Sequence, residues 1–503
     1  MVCVQRVTPI CMGSIDDFKQ MTLRGKHPLT HIRGLHVLLF GLLSVCPYMG
    51  HAAETGHPTL LSPHSDPIAI HERKVFVTNT AADTLDVIDA DTDRVFIRIP
   101  TGIDPVSVSV RPDGQEIWVS NHISDSVSVI DNRPKSATYL SVIATIQDID
   151  LQRKSTRFNE PVGIAFANNE KAYVSLSSSN QIAVINVRSR RVMNHLKIPA
   201  QEPRAIAVNN GKLYVLPFES NNQTQLSGGK EEEIDGKLVT FEAKKLAAAF
   251  DSVGFTVDVV KNPKIPDRDL FIFDTKTDKL IQSINSLGTS LFGLAVDDFG
   301  NVFVANTDAR NHVNGRAGTK KHGMKELQNR PYLNRVTKVS SKGKTKFIYL
   351  NPLPPEQPRR RSAIATPFGI KISGDNRTVF LTAAGSDQLL AIDATSGKML
   401  GRAKVGAVPR GIALEQDASG RAQTAWVLNA VANTVSKVDV SSPDSPKVQK
   451  TIPLIDPTPK IYKEGRRAFN TARASSNGTF SCASCHADGH TDQLLWVLDT
   501  PHM

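Results

Sequence analysis

The sequence predicts an all-β fold, a seven-bladed β-propeller, followed by a short, incomplete α-helical segment. Two observations carry the prediction. One phrase recurs from about residue 66 to 455, and within each copy apolar and polar residues alternate with a period of two. Hydrophobic residues make up 40% of the 503 and charged residues 22%, the balance of a globular chain.

The phrase starts with a proline and an alternating segment. A turn follows, then a β-branched or aromatic strand, a polar turn, and a strand ending in Ile-Asp. Asp66-Pro67-Ile68-Ala69-Ile70 leads to Val75-Phe76-Val77-Thr78-Asn79 and then Asp86-Val87-Ile88-Asp89. Asp104-Pro105-Val106-Ser107-Val108 leads to Ile117-Trp118-Val119-Ser120-Asn121 and then Ser128-Val129-Ile130-Asp131. Val77 to Val119 and Asp89 to Asp131 are each 42 residues apart, so the register is held. A four-strand unit of about 40–45 residues is a propeller blade. Later copies start at Pro161, Pro203, Leu291, Pro367 and Pro409. Their second strands centre on Tyr173-Val174, Tyr214-Val215, Phe303-Val304, Phe380-Leu381 and Trp426-Val427. The first copy has its own innermost strand and the last ends near Lys447–Leu454, so each blade is expected to be continuous in sequence. Stacked repeats bury a core that none could build alone.

Two insertions interrupt the repeat. Residues 219–268 hold the charged run Lys230-Glu231-Glu232-Glu233 and an expected helix around Phe241–Phe250. Residues 306–338 are polar and glycine-rich, which suits either a binding loop or a solvated one.

Residues 1–53 form a signal region whose expected true start is Met21. Arg24, Lys26 and Arg33 precede an apolar run of about 11 residues from Leu35 to Val45, and Gly50-His51-Ala52-Ala53 offers a cleavage site. That run is too short to span a bilayer, which takes roughly 20 residues, and no later segment is apolar enough, so no transmembrane segment is expected. Leu43-Ser44-Val45-Cys46 is a poor fit to a lipoprotein box. Export to the periplasm is the expectation.

Lys plus Arg number 60 against 49 Asp plus Glu, a net +11; without residues 1–53, which hold five basic and two acidic residues, 55 − 47 leaves +8. The excess is spread along the chain. The one tight cluster, Arg359-Arg360-Arg361, reads as a solvated loop or a contact for an anionic partner, and nothing else points to nucleic acid.

Cleavage would remove Cys3, Cys11 and Cys46, leaving only Cys482 and Cys485. They stand in Cys482-Ala483-Ser484-Cys485-His486, a C-x-x-C-H sequence, the attachment signature of c-type haem. Two residues between the cysteines let one helical turn present both sulfurs to one porphyrin edge, and the next residue supplies an imidazole to the iron. The expected cofactor is therefore one covalent haem c, with Cys482 and Cys485 as thioether links and His486 as axial ligand. Two rivals stay open. Zinc needs four ligands, and although His486 and His490 could complete a set with Cys482 and Cys485, the first three, Cys482, Cys485 and His486, would crowd one turn. A redox dithiol would expect a βαβ context, which the flanks lack. The remaining histidines His57, His64, His71, His122, His195, His312 and His322 are scattered, and no Gly-x-Ser-x-Gly occurs, so a hydrolase or lactonase reading has little support. His122 and His312 follow second strands, where propeller faces bind ligands; isolated surface histidines are the plainer reading.

The strand Val75-Phe76-Val77-Thr78-Asn79 and its repeats resemble the YVTN-type β-propeller family over about three quarters of the chain. The run Gly465…Phe469…Ser481-Cys482-Ala483-Ser484-Cys485-His486 is similar to the haem domain of bacterial di-haem cytochrome c peroxidases. This resemblance makes 460–503 a partial cytochrome c domain, in which Gly465 and Phe469 pack against a later helix. It implies electron transfer with a redox protein or small-molecule substrate, the propeller serving as docking platform. Peroxide reduction would need a second haem. The chain stops 17 residues after His486, so the domain is expected to be truncated, and a distal ligand would have to come from His502 or Met503. The alternative is a non-enzymatic propeller binding module with a vestigial haem segment.

Overall fold

The computed structural model describes residues 60–221, 265, 267–314 and 323–496, with the backbone of four short strands between 224 and 260. The signal region, the helix expected at 241–250, His502 and Met503 lie outside the described residues.

Seven four-stranded antiparallel units follow one another along the chain. Blade 1 comprises Ile68–His71, Lys74–Asn79, Thr84–Asp89 and Arg94–Pro100. Blades 2 to 7 span 105–146, 161–197, 201–284, 290–349, 367–404 and 409–453. Each innermost strand lies beside the next, and Ile68–His71 of blade 1 lies beside Pro409–Gln416 of blade 7, which closes the ring. No strand is exchanged at the closure. Blades 7 and 1 are joined by side chains, with Ile68, Val75 and Val77 packing on Trp426, Leu428 and Val435. Asn433 donates to Asn79 Oδ1 (3.1 Å), and Lys437 reaches Asp93 (2.7 Å). The likeness to a β-propeller expected from the repeat is therefore realised blade by blade.

The recurring polar residues have mechanical roles. The asparagine ending a second strand crosses its hairpin: Asn121 donates to Ser126 and Ser128 (3.1 and 3.0 Å), and Asn429 to Thr434 and Ser436 (3.0 and 2.9 Å). The aspartate ending a third strand caps the next turn, Asp89 accepting from Thr92 N (2.7 Å) and Asp393 from Ser396 N (2.7 Å). The second-strand Ser or Thr stitches blades together, since Ser120 Oγ bonds Val162 O and Ser175 Oγ bonds Arg204 O. Glycine is needed where neighbouring inner strands approach most closely: a Cβ on Gly163 would lie 2.4 Å from Arg204 O.

Two expectations are refined. The segment 306–338 is partly strand, because Val302–Ala309 and Tyr332–Val339 extend the hairpin of blade 5. Glu231–Ile234, which overlaps the charged run of the first insertion, pairs with Lys237–Thr240. No helix among the described residues is long and apolar enough to cross a membrane.

Candidate functional site at the propeller mouth

After blade 7 the alternation ends. Helix α1 (Lys460–Asn470) leads through a loop to the one-turn helix α2 (Cys482–Cys485). The segment is laid along the propeller face on which the inner strands begin, and hydrogen bonds to backbone groups hold it there. Ala472 N donates to Gly385 O (2.8 Å), Asn477 to Asn329 O (2.8 Å), and Asn334 to Thr479 O (2.9 Å).

α2 brings the three motif residues together. His486 N bonds Cys482 O (3.0 Å), which closes the turn. Both thiols are free; Cys482 is exposed and Cys485 half-buried. His486 is exposed, with Nδ1 3.3 Å from His490 O. A proton on Nδ1 satisfies that carbonyl and leaves Nε2 as a lone-pair donor, the arrangement ligating histidines use.

Around Cys485 lies a small wall of Phe480, Leu494, Trp496, Ala309 and Tyr332. Tyr332 Oη is 3.4 Å from Cys485 Sγ and bonds the Asp492 carboxylate, which also accepts from Trp496 Nε1 (2.9 Å). Burial raises the Asp492 carboxyl and pushes the Cys485 thiol up to about 12, with the Asp492 charge adding to the latter. The donor set fits haem c attachment: two thiols from one turn, and an exposed imidazole whose far nitrogen is fixed. Cys485 is the group that would have to turn from Tyr332. Zinc finds less support, since no group of three or more His, Cys, Asp or Glu among the described residues is placed to hold a metal ion.

Just beyond the motif, Asp488 is driven into the axis. Its carboxylate accepts from Arg204 (2.8 Å) and Arg410 (2.6 Å). These arginines belong to the innermost strands of blades 4 and 7. Residues three blades apart in a ring of seven can meet only at the axis. Arg204 lies over the Phe218 ring at 3.8 Å and Arg410 over Phe368 at 4.6 Å, a cation–π arrangement in a buried setting. Burial alone would raise the Asp488 carboxyl, but Arg410 and then Arg204 overcome this and hold it below the usual range. His64 and His122 flank the cluster. Burial, and then Arg410, depress His64 to about 3; burial, and then Arg204, depress His122 to about 4. Both imidazoles are neutral near pH 7.

His122 is therefore no isolated surface histidine: it is 6% exposed and belongs to the axial cluster. His312 is exposed and stands apart from it. Gly465 has nothing within 4 Å of a built Cβ, and among the described residues no later helix packs over it. Arg204, Arg410, Tyr332 and Asp488 were not singled out from sequence. The two arginines had a signal. The residue after the inner-strand proline or leucine is apolar in five copies (Ile68, Val106, Val162, Phe292, Phe368) and basic in two.

No family model and no curated protein matches the chain. Among solved structures, a chain of Kuenenia stuttgartiensis hydrazine synthase aligns with a TM-score of 0.54 at 16% identity, covering 78% of this chain and 98% of that one. A structure of U3-55K aligns with a TM-score of 0.44 at 8% identity, over 69% and 81%. The first likeness is one of fold: this chain has a propeller-type scaffold.

Proposed function

We propose that the protein is an exported, periplasmic c-type haem protein that transfers electrons, with haem linked to Cys482 and Cys485 and His486 as axial ligand. The observation that carries the reading is α2: one turn offers both thiols and an exposed imidazole whose Nδ1 is engaged by the His490 carbonyl. When bound, the haem supplies a one-electron ferric–ferrous couple. The chain's own residues orient and shield. His490 O fixes the His486 ring. Phe480, Leu494 and Trp496 exclude water from one side of the turn. Tyr332 and Trp496 hold Asp492 through hydrogen bonds, so that this carboxyl keeps its place beside Cys485. The propeller fixes the segment in space and offers its face to a redox protein or a small-molecule substrate. Peroxide reduction remains a finer proposal requiring a second haem.

A second reading is favoured by Cys485 itself, whose sulfur is turned into the wall against Tyr332. There the protein is a propeller binding module whose C-terminal segment carries no haem. Expression with its export signal in a host competent for cytochrome c maturation separates the two. The first reading expects haem stain that survives a denaturing gel, lost in Cys482→Ala with Cys485→Ala, and an altered visible spectrum in His486→Met. Exported wild-type protein without covalent haem overturns it.

A further inference from the structure

We propose that the axial mouth of the propeller is a receptor for a single carboxylate, that Asp488 is its built-in occupant, and that a soluble organic monocarboxylate competes with Asp488 and releases the segment bearing Cys482 and His486. The inference does not depend on haem attachment.

The receptor is made by the blades, not by the segment it holds. Arg204 and Arg410 are each 4% exposed. Their guanidiniums are set by stacking on Phe218 and Phe368, and Arg410 also donates to Ser62 O (2.9 Å). Two preset forks facing one point are suited to a carboxylate. The charge count fixes the ligand's charge. Arg204 already pairs with Glu202, whereas Asp488 is the anion that pairs with Arg410. With Asp488 withdrawn, one buried positive charge stands without an anion, so one negative charge completes the site.

The mouth also has hydrogen-bonding capacity that Asp488 does not use. Arg410 Nε is buried with no hydrogen-bond partner among the described residues, whereas His64 and His122 each engage a backbone group, of Ser62 and of Pro161. An organic acid with a second polar group can meet Arg410 Nε. The space beneath cannot take such a ligand: the cavity bounded by His64, Phe292, Phe368 and Arg410 is only ≈ 10 Å³, room for about one water. A ligand must take the place of Asp488. The occupant is delivered on an unfavourable backbone, Asp488 at φ +53° followed by Gly489 at φ +90°, so leaving the site relieves a left-handed residue.

The test is chemical rescue in the full-length chain. Asp488→Gly suits the positive φ and removes only the carboxymethyl group. Its melting temperature is expected to fall, and acetate or formate should restore most of the loss, while chloride at matched ionic strength and acetamide should not. Arg410→Met added to Asp488→Gly should abolish the response. An acetate response equal in wild type and Asp488→Gly, or one that survives Arg410→Met, overturns the proposal. If Asp488→Gly does not fold, hydrogen exchange on wild-type protein serves instead. Acetate is then expected to raise exchange over 482–496 and leave the blade 1 strands unchanged, and a response no greater than that to chloride overturns the proposal.

Discussion

The propeller and the segment laid across its mouth are specified in opposite ways. In the propeller every device is repeated: the hairpin asparagine, the turn aspartate and the stitching hydroxyl recur around the ring. Loss of one copy leaves the others in place. The segment after residue 455 has few regular elements, and each anchor occurs once: Ala472 on Gly385, Asn477 on Asn329, Asn334 on Thr479, and Asp488 between two arginines. The sheet is over-determined and the segment is not. The proposed haem motif sits on the part that single residues hold, where local release is cheapest.

The largest expected effect lies at the single most buried anchor. Arg410→Met removes one partner of a buried pair and leaves Asp488 half-compensated, a change that costs about 3–5 kcal/mol. Because the pair joins the segment to the ring, the cost is expected as local release. Hydrogen exchange should rise over 482–496 while the blade strands stay protected. Uniform loss of protection through all seven blades would show that segment and ring are one cooperative unit.

The matching change in the sheet is Asn121→Ala. It strips two buried bonds, to Ser126 and Ser128, and is expected to cost about 1–3 kcal/mol. Here the loss should appear as a lower denaturation midpoint for the whole ring, with exchange over 482–496 rising no more than elsewhere. The two variants together separate redundant from single-copy anchoring.

A pH titration reads the axial cluster. His64 is depressed in the fold to about 3 from an ordinary value of 6.5. The unfolded chain therefore gains a proton below about pH 6.5 that the folded chain does not accept. Stability is expected to fall as pH drops from about 6.5 towards 3, by about 1.4 kcal/mol per pH unit from this residue. His64→Gln should remove about one proton's worth of slope in urea denaturation midpoints taken between pH 6 and 4. An unchanged slope would mean that His64 protonates freely in the fold.

The two regions also differ in how far the sequence revealed them. Blade boundaries were legible because the period-two pattern is a direct consequence of pleating, and seven copies average out local accidents. The grouping of Cys482, Cys485 and His486 was legible because their spacing is local to one turn. The axial cluster was not. Arg204, Arg410, His122 and Asp488 are separated by up to hundreds of residues, and ring closure alone brings them together. His122 looked like a surface residue because a residue after a strand end is usually exposed, while in a propeller that end faces the axis. Tyr332 read as part of a polar loop, yet it begins a strand and meets Asp492 across 160 positions.

The smallest effect tests the remaining question about the segment, what covers α1. The resemblance to cytochrome c domains implies a helix packed over Gly465 and Phe469. The structure leaves Ile461 74% exposed and open space above Gly465. A mid-helix glycine with nothing against it carries only the backbone cost, so Gly465→Ala should stabilise α1 by about 0.5–1 kcal/mol. Under close helix packing the same methyl group would clash and destabilise. The sign of the change, read from exchange protection over 460–470, decides between an uncovered helix and a covered one. A gain places α1 among the singly held parts of the molecule, dependent on the loop that follows it. A loss would mean that a further element packs there, and the contrast between ring and segment would narrow accordingly.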